Sequence, residues 1–272
     1  GAFAWLIGEE GRGVANILEM VALTRFDCLV GSASSMRLGT AHAVFHCANR
    51  EAFGKRLIDQ PLMRNVLADL AIESDAALHL ALRVGHALDE RKDAQQAAFL
   101  RIATAIGKYW VCKRSPGHAY EAMECIGGSG VMENSIMPRL YREAPINTIW
   151  EGSGNVQCLD VMRAMAKSPE CVEALFAELA ITQGQDRRLD KLTEDIKNSL
   201  ADTADFEWRA RSVVENMALA LQANLLLRHG HGATAEAFIT TRLGDYQRGL
   251  VYGMLPTGLE VESIIHRALP PL

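Results

Sequence analysis

Between Val14 and Arg50 the chain runs through 37 residues without a proline, and its apolar side chains recur at the spacing of an α-helix. Ile17, Met20, Val21, Leu23, Leu29 and Val30 fall on one broad face, which predicts a single long helix entered through the glycine-punctuated turn GEEGRG at 8–13. Only 6% of residues are aromatic. Ala and Leu, which lose little rotamer freedom in a helix, are abundant, so helices are expected throughout.

The loop AFGKRLIDQP at 52–61 ends the first helix at Gly54 and starts a second at Pro61, a residue suited to a first helical position. This second helix is expected over about 62–91, with Leu62, Val66, Leu67, Leu70, Ala77, Leu78 and Ala81 inside and the charged run DERKD at 89–93 closing it. A third is expected over about 94–126, bent near Ser115-Pro116-Gly117 and stopped by Gly127–Gly130. The segment 131–148, polar and carrying Pro138 and Pro145, reads as a connector, and a fourth helix is expected from Glu151 to Ser168. Four helices joined by short or glycine-bearing loops make an up-down bundle over 13–168. Beyond Pro169, helix-like segments near 170–181, 186–201, 206–229, 233–248 and 257–268 predict a second, smaller helical domain over 169–272. The fold class is therefore all-α, and a length of 272 residues agrees with two domains.

Charge divides the same way. Residues 1–168 hold 18 Lys and Arg against 18 Asp and Glu, whereas 169–272 hold 10 against 15, so the net charge of −5 resides in the second part. The longest strongly apolar stretch, Met217–Leu227, is eleven residues and is interrupted by Gln222 and Asn224, short of the roughly 18 that a membrane span needs. With no signal-peptide pattern, a cytoplasmic protein is expected. Six cysteines at 28, 47, 112, 125, 158 and 171 form no CxxC pair, as suits reduced, buried thiols. The chain opens at Gly1 without a Met, which reads as part of something longer.

His42 and His46 stand four apart, but no third ligand follows, and no metal is expected. His229 and His231 flank a glycine and read as solvated loop residues. The GGSG of 127–130 by itself is a helix-ending glycine cluster. The string RLYREAPINTIWEGSGN at 139–155 is different, because it sets Glu151 between Trp150 and Gly152 at an expected helix start. Two readings stand level there: a base toward a carbon acid, or a carboxylate complementing the helix dipole.

The same string resembles the acyl-CoA dehydrogenase signature around its catalytic Glu. Three further pieces follow the family's order: GEEGRG at 8–13, Arg50-x-x-Phe53-Gly54, and Gly127-Gly128-x-Gly130. More narrowly, IWEGSGN followed by CLDVMR, the LTR of 23–25 and KRSPGHAYEAMECIGGSGV resemble the AidB-type adaptive-response flavoproteins, with the likeness strongest to Lys167. The resemblance implies that residues 1–12 end a β-domain and that 13–168 are the C-terminal four-helix bundle. It implies FAD as cofactor, an acyl-CoA-like substrate, and a homodimer or homotetramer whose copies share the FAD site. It makes Glu151 the base, with Arg25 near the reacting centre and no carboxylate at Thr24. Ser153 and Asn155 would contact the FAD, while Arg50, Phe53, Gly127 and Gly128 would reach its pyrophosphate and adenosine side. Glu124 stands where the family commonly has Gln, and the bundle alone is expected to bind FAD weakly and not to turn over. Two other functions are weighed beside the oxidoreductase. One is duplex DNA binding in protection against alkylation, through Arg187, Arg188, Lys191, Arg209, Arg211 and Arg228, which the acidic second part disfavours. The other is a non-catalytic oligomerisation module.

Overall fold

A computed structural model describes residues 1–202, 206–244 and 258–269. The fold is helical, with one two-residue hairpin pairing Glu51–Ala52 with Lys55–Arg56. Three long helices carry it: α1 (Gly13–Asn49), α2 (Pro61–Asp89) and α3 (Ala94–Ile126). Pro61 opens α2 without costing a backbone donor. The carboxylate of Asp93 caps α3 by accepting from Gln96 N at 2.9 Å. The fourth bundle helix is α6 (Gly154–Lys167), and Ser168-Pro169 separates it from α7 (Glu170–Ala180). Then come α8 (Arg187–Ala201), α9 (Phe206–His229), α10 (Gly232–Arg242) and α11 (Val261–Ala268).

α3 is the hub, packing against α1, α2, α6, α7 and α9. α9 and α11 also lie on α2, so among the described residues one apolar core runs on from Leu29 of α1 to Ala268 of α11. All six cysteines are buried and unpaired. Among the described residues no helix is long and apolar enough to cross a membrane.

Several local expectations are corrected. α3 is helical throughout Ala94–Ile126 with Pro116 inside it, and Ser115 and His118 beside that proline are fully buried. The connector contains two short helices, α4 (Met137–Glu143) and α5 (Ile146–Ile149), with Pro138 and Pro145 at their starts where a missing N–H costs nothing. α6 begins at Gly154, so Glu151 precedes the helix instead of opening it. Leu62 is 84% exposed. Of the apolar face read on α1, Leu29 is buried and Val21 half-buried, while Ile17, Met20, Leu23 and Val30 are exposed, Leu23 on an open cleft. The segment expected over 233–248 is helical to Arg242, and its end lies outside the described residues.

Candidate functional site

The chain leaves α5 at Trp150 and enters α6 at Gly154 through a tight turn. Glu151 adopts φ 56°, a left-handed conformation that costs a non-glycine residue about 1–2 kcal/mol, so something must hold it. Gly152 follows at φ 102°, where a Cβ would come within 2.7 Å of Gln157 Nε2. Only glycine fits that position.

Three side chains from three helices hold the turn, and each donates to a backbone carbonyl. Lys108 of α3 donates from Nζ to Trp150 O at 2.9 Å and to Gly152 O at 2.5 Å. Arg25 of α1 donates from Nε to Glu151 O at 2.9 Å. Gln157 of α6 donates to Glu151 O and Gly152 O, both at 3.0 Å. In a trans peptide the N–H points opposite to the C=O, and among the described residues there is no cis peptide bond. The N–H groups of Glu151, Gly152 and Ser153 therefore face away from the three donors, and among the described residues none has an acceptor. Successive outward N–H groups of this kind make a concave anion-binding surface. α5 is tied to α1 nearby, since Trp150 Nε1 donates to Asn147 Oδ1 and Asn147 Nδ2 donates to Ser32 Oγ.

Arg25 is itself fixed by Asp160 of α6, whose buried carboxylate accepts from Arg25 Nη1 at 2.9 Å and from both Nη atoms of Arg101 at 2.9–3.0 Å. Beside this cluster, a cleft of about 540 Å³ opens between α1, α3 and α6. Its walls are mainly apolar, with Leu18, Phe26 and Leu100 among them, and Arg25, Arg101 and Asp160 form its polar side. The structure thus joins Arg25 to the Glu151 turn. Thr24 is turned back on its own helix, donating to Val21 O.

Ser153 and Asn155 lie exposed at the start of α6. Ser153 occupies the N-cap position, but its hydroxyl caps nothing. The Lys113 ammonium lies alongside, within 3.4 Å of where a Cβ on Gly154 would stand.

The remaining residues gather elsewhere. Arg50 follows the last turn of α1 and lines a hollow of about 430 Å³ with His42, His46, Ile126, Ser129 and Asn134. Burial and the charge of Arg50 both push the His46 imidazole toward its neutral form. Phe53 sits at the hairpin tip, 96% exposed and itself left-handed at φ 54°. Gly127 ends α3 at φ 68°, and it and Gly128 have open space where side chains would be. Glu124 is exposed and bonded to the Tyr120 hydroxyl, which raises that phenol's pKa. From Arg25 to Arg50 is 25 residues of helix, about 37 Å along α1, so the two groups form two separate surfaces of one chain.

Lys108 and Gln157 hold the turn directly and Asp160 and Arg101 hold it through Arg25; Lys108, Gln157 and Arg101 lie outside the quoted strings, and Asp160 lies in CLDVMR without a role read for it. The basic residues weighed for DNA are mostly neutralised. Arg188 pairs with Asp186 and Glu236, Lys191 with Asp195, Arg209 with Asp202 and Arg228 with Glu178, while Arg211 donates to the Tyr109 hydroxyl.

Residues 11–166 match the family model of the acyl-CoA dehydrogenase C-terminal domain. AidB of Escherichia coli K12 is 38% identical over 242 residues, which is 89% of this chain and 44% of AidB. The crystal structure of Caenorhabditis elegans ACDH-11 in complex with C11-CoA superposes with a TM-score of 0.79 at 25% identity, covering 91% of this chain and 47% of that one. An acyl-CoA dehydrogenase from Bacillus anthracis, solved with FAD, shares the fold at 17% identity, with a TM-score of 0.65 over 96% of this chain and 49% of its own. The chain spans less than half the length of each of these relatives.

Proposed function

Because this chain belongs to the acyl-CoA dehydrogenase family, whose C-terminal helical domain it carries, we propose that it is the helical part of an FAD-dependent oxidoreductase. The reaction is α,β-dehydrogenation of an acyl-CoA thioester, with Glu151 as base. The observation that carries this reading is the Glu151 turn: a strained carboxylate-bearing residue held by three side chains, beside unpaired N–H groups facing outward. An N–H donor aimed at the thioester oxygen stabilises the charge that develops there as the α-carbon loses its proton. Glu151 N–H fills that role, and the Glu151 carboxylate receives the α-proton. The apolar cleft shared by Arg25 and Asp160 receives part of the substrate and keeps water from it.

The residues present fit FAD. Arg50 supplies a cation, Phe53 an exposed aromatic face, Gly127 and Gly128 a side-chain-free approach, and Ser153 and Asn155 free polar groups at a helix N-terminus. When bound, FAD supplies the acceptor for the β-hydride. The separation of about 37 Å along α1 exceeds the reach of one extended dinucleotide, which supports sharing of each FAD between two copies of the chain. Arg188, Lys191, Arg209 and Arg228 are paired with carboxylates, so no observation favours the DNA-binding reading over the oxidoreductase.

The test is Glu151→Gln in the full-length, flavin-loaded protein. Acyl-CoA turnover is expected to fall on the order of 10²–10⁴-fold, with the flavin spectrum and melting temperature retained. Turnover equal to the parent's would remove Glu151 as base.

A further inference from the structure

Lys108 is 1% exposed, and its side chain is one of the largest fully buried in the chain. A buried ammonium normally sits against a carboxylate. Among the described residues none reaches salt-bridge distance of Lys108 Nζ, whose hydrogen-bond partners are the carbonyl oxygens of Trp150 and Gly152. These two oxygens bracket Glu151, the one residue in the turn with a strained backbone and a titratable side chain. Of the groups that act most strongly on the Lys108 charge, two are the thiols of Cys28 and Cys112, one is the like-charged Arg25, and the single carboxylate is Glu151. Burial lowers the Lys108 pKa, so keeping a charge here carries a cost that an apolar side chain of equal length would avoid.

The geometry assigns Lys108 as the positioning residue of the Glu151 turn. By binding the carbonyls on both sides, its ammonium holds Glu151 left-handed. It also draws on the Trp150–Glu151 and Gly152–Ser153 peptide dipoles, so that the N–H ends of both peptides present enhanced positive charge outward. Arg25 and Gln157 fix the middle peptide in the same sense. The inference deepens the reading of Glu151 as base. Lys108 touches neither substrate nor flavin in it; it acts through the turn.

Three substitutions separate this role from a packing role. Lys108→Met keeps the length and removes the charge, Lys108→Gln keeps a neutral donor, and Lys108→Arg keeps a charged one. In the full-length, flavin-loaded protein, Lys108→Met should lower kcat about 100-fold, the scale of a misplaced catalytic group, with KM changed less than about threefold. Lys108→Arg should recover a large part of that loss and Lys108→Gln a smaller part. In the flavin-free chain, cleavage by a glutamate-specific protease after Glu151, mapped by mass spectrometry, should rise about tenfold in Lys108→Met as the turn opens locally, while other sites are cut as before. Unchanged cleavage after Glu151 in both neutral variants overturns the assignment, as does an undiminished kcat in either. If Lys108→Met fails to fold, Lys108→Gln carries the test. The protease measurement does not depend on Glu151 being the base. Normal turnover in Glu151→Gln combined with a loosened turn would therefore reject the proposed chemistry and leave the Lys108 hold standing.

Discussion

Arg242 and Lys108 are both buried cations, and they are neutralised in opposite ways. Arg242 of α10 meets full negative charges: Nη2 lies 2.6 Å from Asp69 and 3.0 Å from Glu73, both on α2, and Arg114 of α3 closes on Glu73 from the other side. The arginines hold the Glu73 carboxyl down to about 2 against its desolvation. Lys108 meets only carbonyl dipoles. An ion pair consumes the fields of both partners and serves to join elements, here α10 to α2 and α3. A cation held by dipoles keeps much of its field, which the bound peptides pass to their far side. The first arrangement is suited to stability and the second to presenting a charged surface to a ligand.

The largest expected effect breaks the first arrangement. Arg242→Ala takes from Asp69 and Glu73 their shared partner on α10, and removing one member of a buried ion-pair network typically costs about 3–5 kcal/mol. Urea unfolding of the parent and variant checks this, and Lys108→Met should lose clearly less, because the carbonyls it releases are neutral. Equal losses would erase the distinction between the two sites.

The two sites also differed in how far the sequence disclosed them. Glu151 could be singled out because its neighbours Trp150 and Gly152 form a recognisable string, and the helix breaks could be read from Gly and Pro. Lys108 could not. Lys108 binds backbone oxygens, which carry no residue identity, and it lies 43 positions before the turn on a different helix. The exposure of Ile17, Met20, Leu23 and Val30 on α1 has a related reason: periodicity reports that a helix has an apolar face and says nothing about which of its turns a partner covers. At Pro116 local preference favours an interruption, yet the helix runs on through it, with Ser115 and His118 on either side fully buried. Placing α6 three residues too early followed from treating Glu151 as a first-turn carboxylate, when its positive φ excludes it from the helix.

A smaller effect sharpens the contrast through pH. His118 is fully buried near the Arg242 cluster, with Nε2 3.1 Å from Leu70 O and 3.3 Å from Thr40 Oγ1. Desolvation pushes its pKa down to about 4 from an ordinary 6.5. The folded state therefore resists a proton that the unfolded chain accepts below pH 6.5. Stability is complete above that value and falls as pH drops from 6.5 to 4, by about 3 kcal/mol for a shift of this size. The depressed Glu73 carboxyl adds its loss lower, between its ordinary 4.5 and about 2. Urea midpoints measured from pH 7 to 4 should decline in the parent, and His118→Gln should flatten that limb. An unchanged slope in the variant would assign the decline to other groups.

The smallest expected effect on stability concerns Ser153. Two other helices begin with a side chain that caps: Asp93 accepts from Gln96 N, and Asp186 accepts from Arg188 N at 2.8 Å. Losing such a bond costs about 1 kcal/mol, so Asp93→Ala should show that loss in thermal melts. Ser153 stands at the same position of α6 and makes no such bond, so Ser153→Ala should cost less than about 0.5 kcal/mol, as at a site without a cap to lose. If the hydroxyl and the N–H groups beside it are kept free for FAD, the substitution should instead weaken flavin affinity, by roughly the 0.5–1.5 kcal/mol of one hydrogen bond. Flavin titration of the parent and variant reads this directly. A variant that loses stability while binding flavin as tightly as the parent would return Ser153 to the ordinary role of a helix cap and leave the start of α6 without its share of the cofactor.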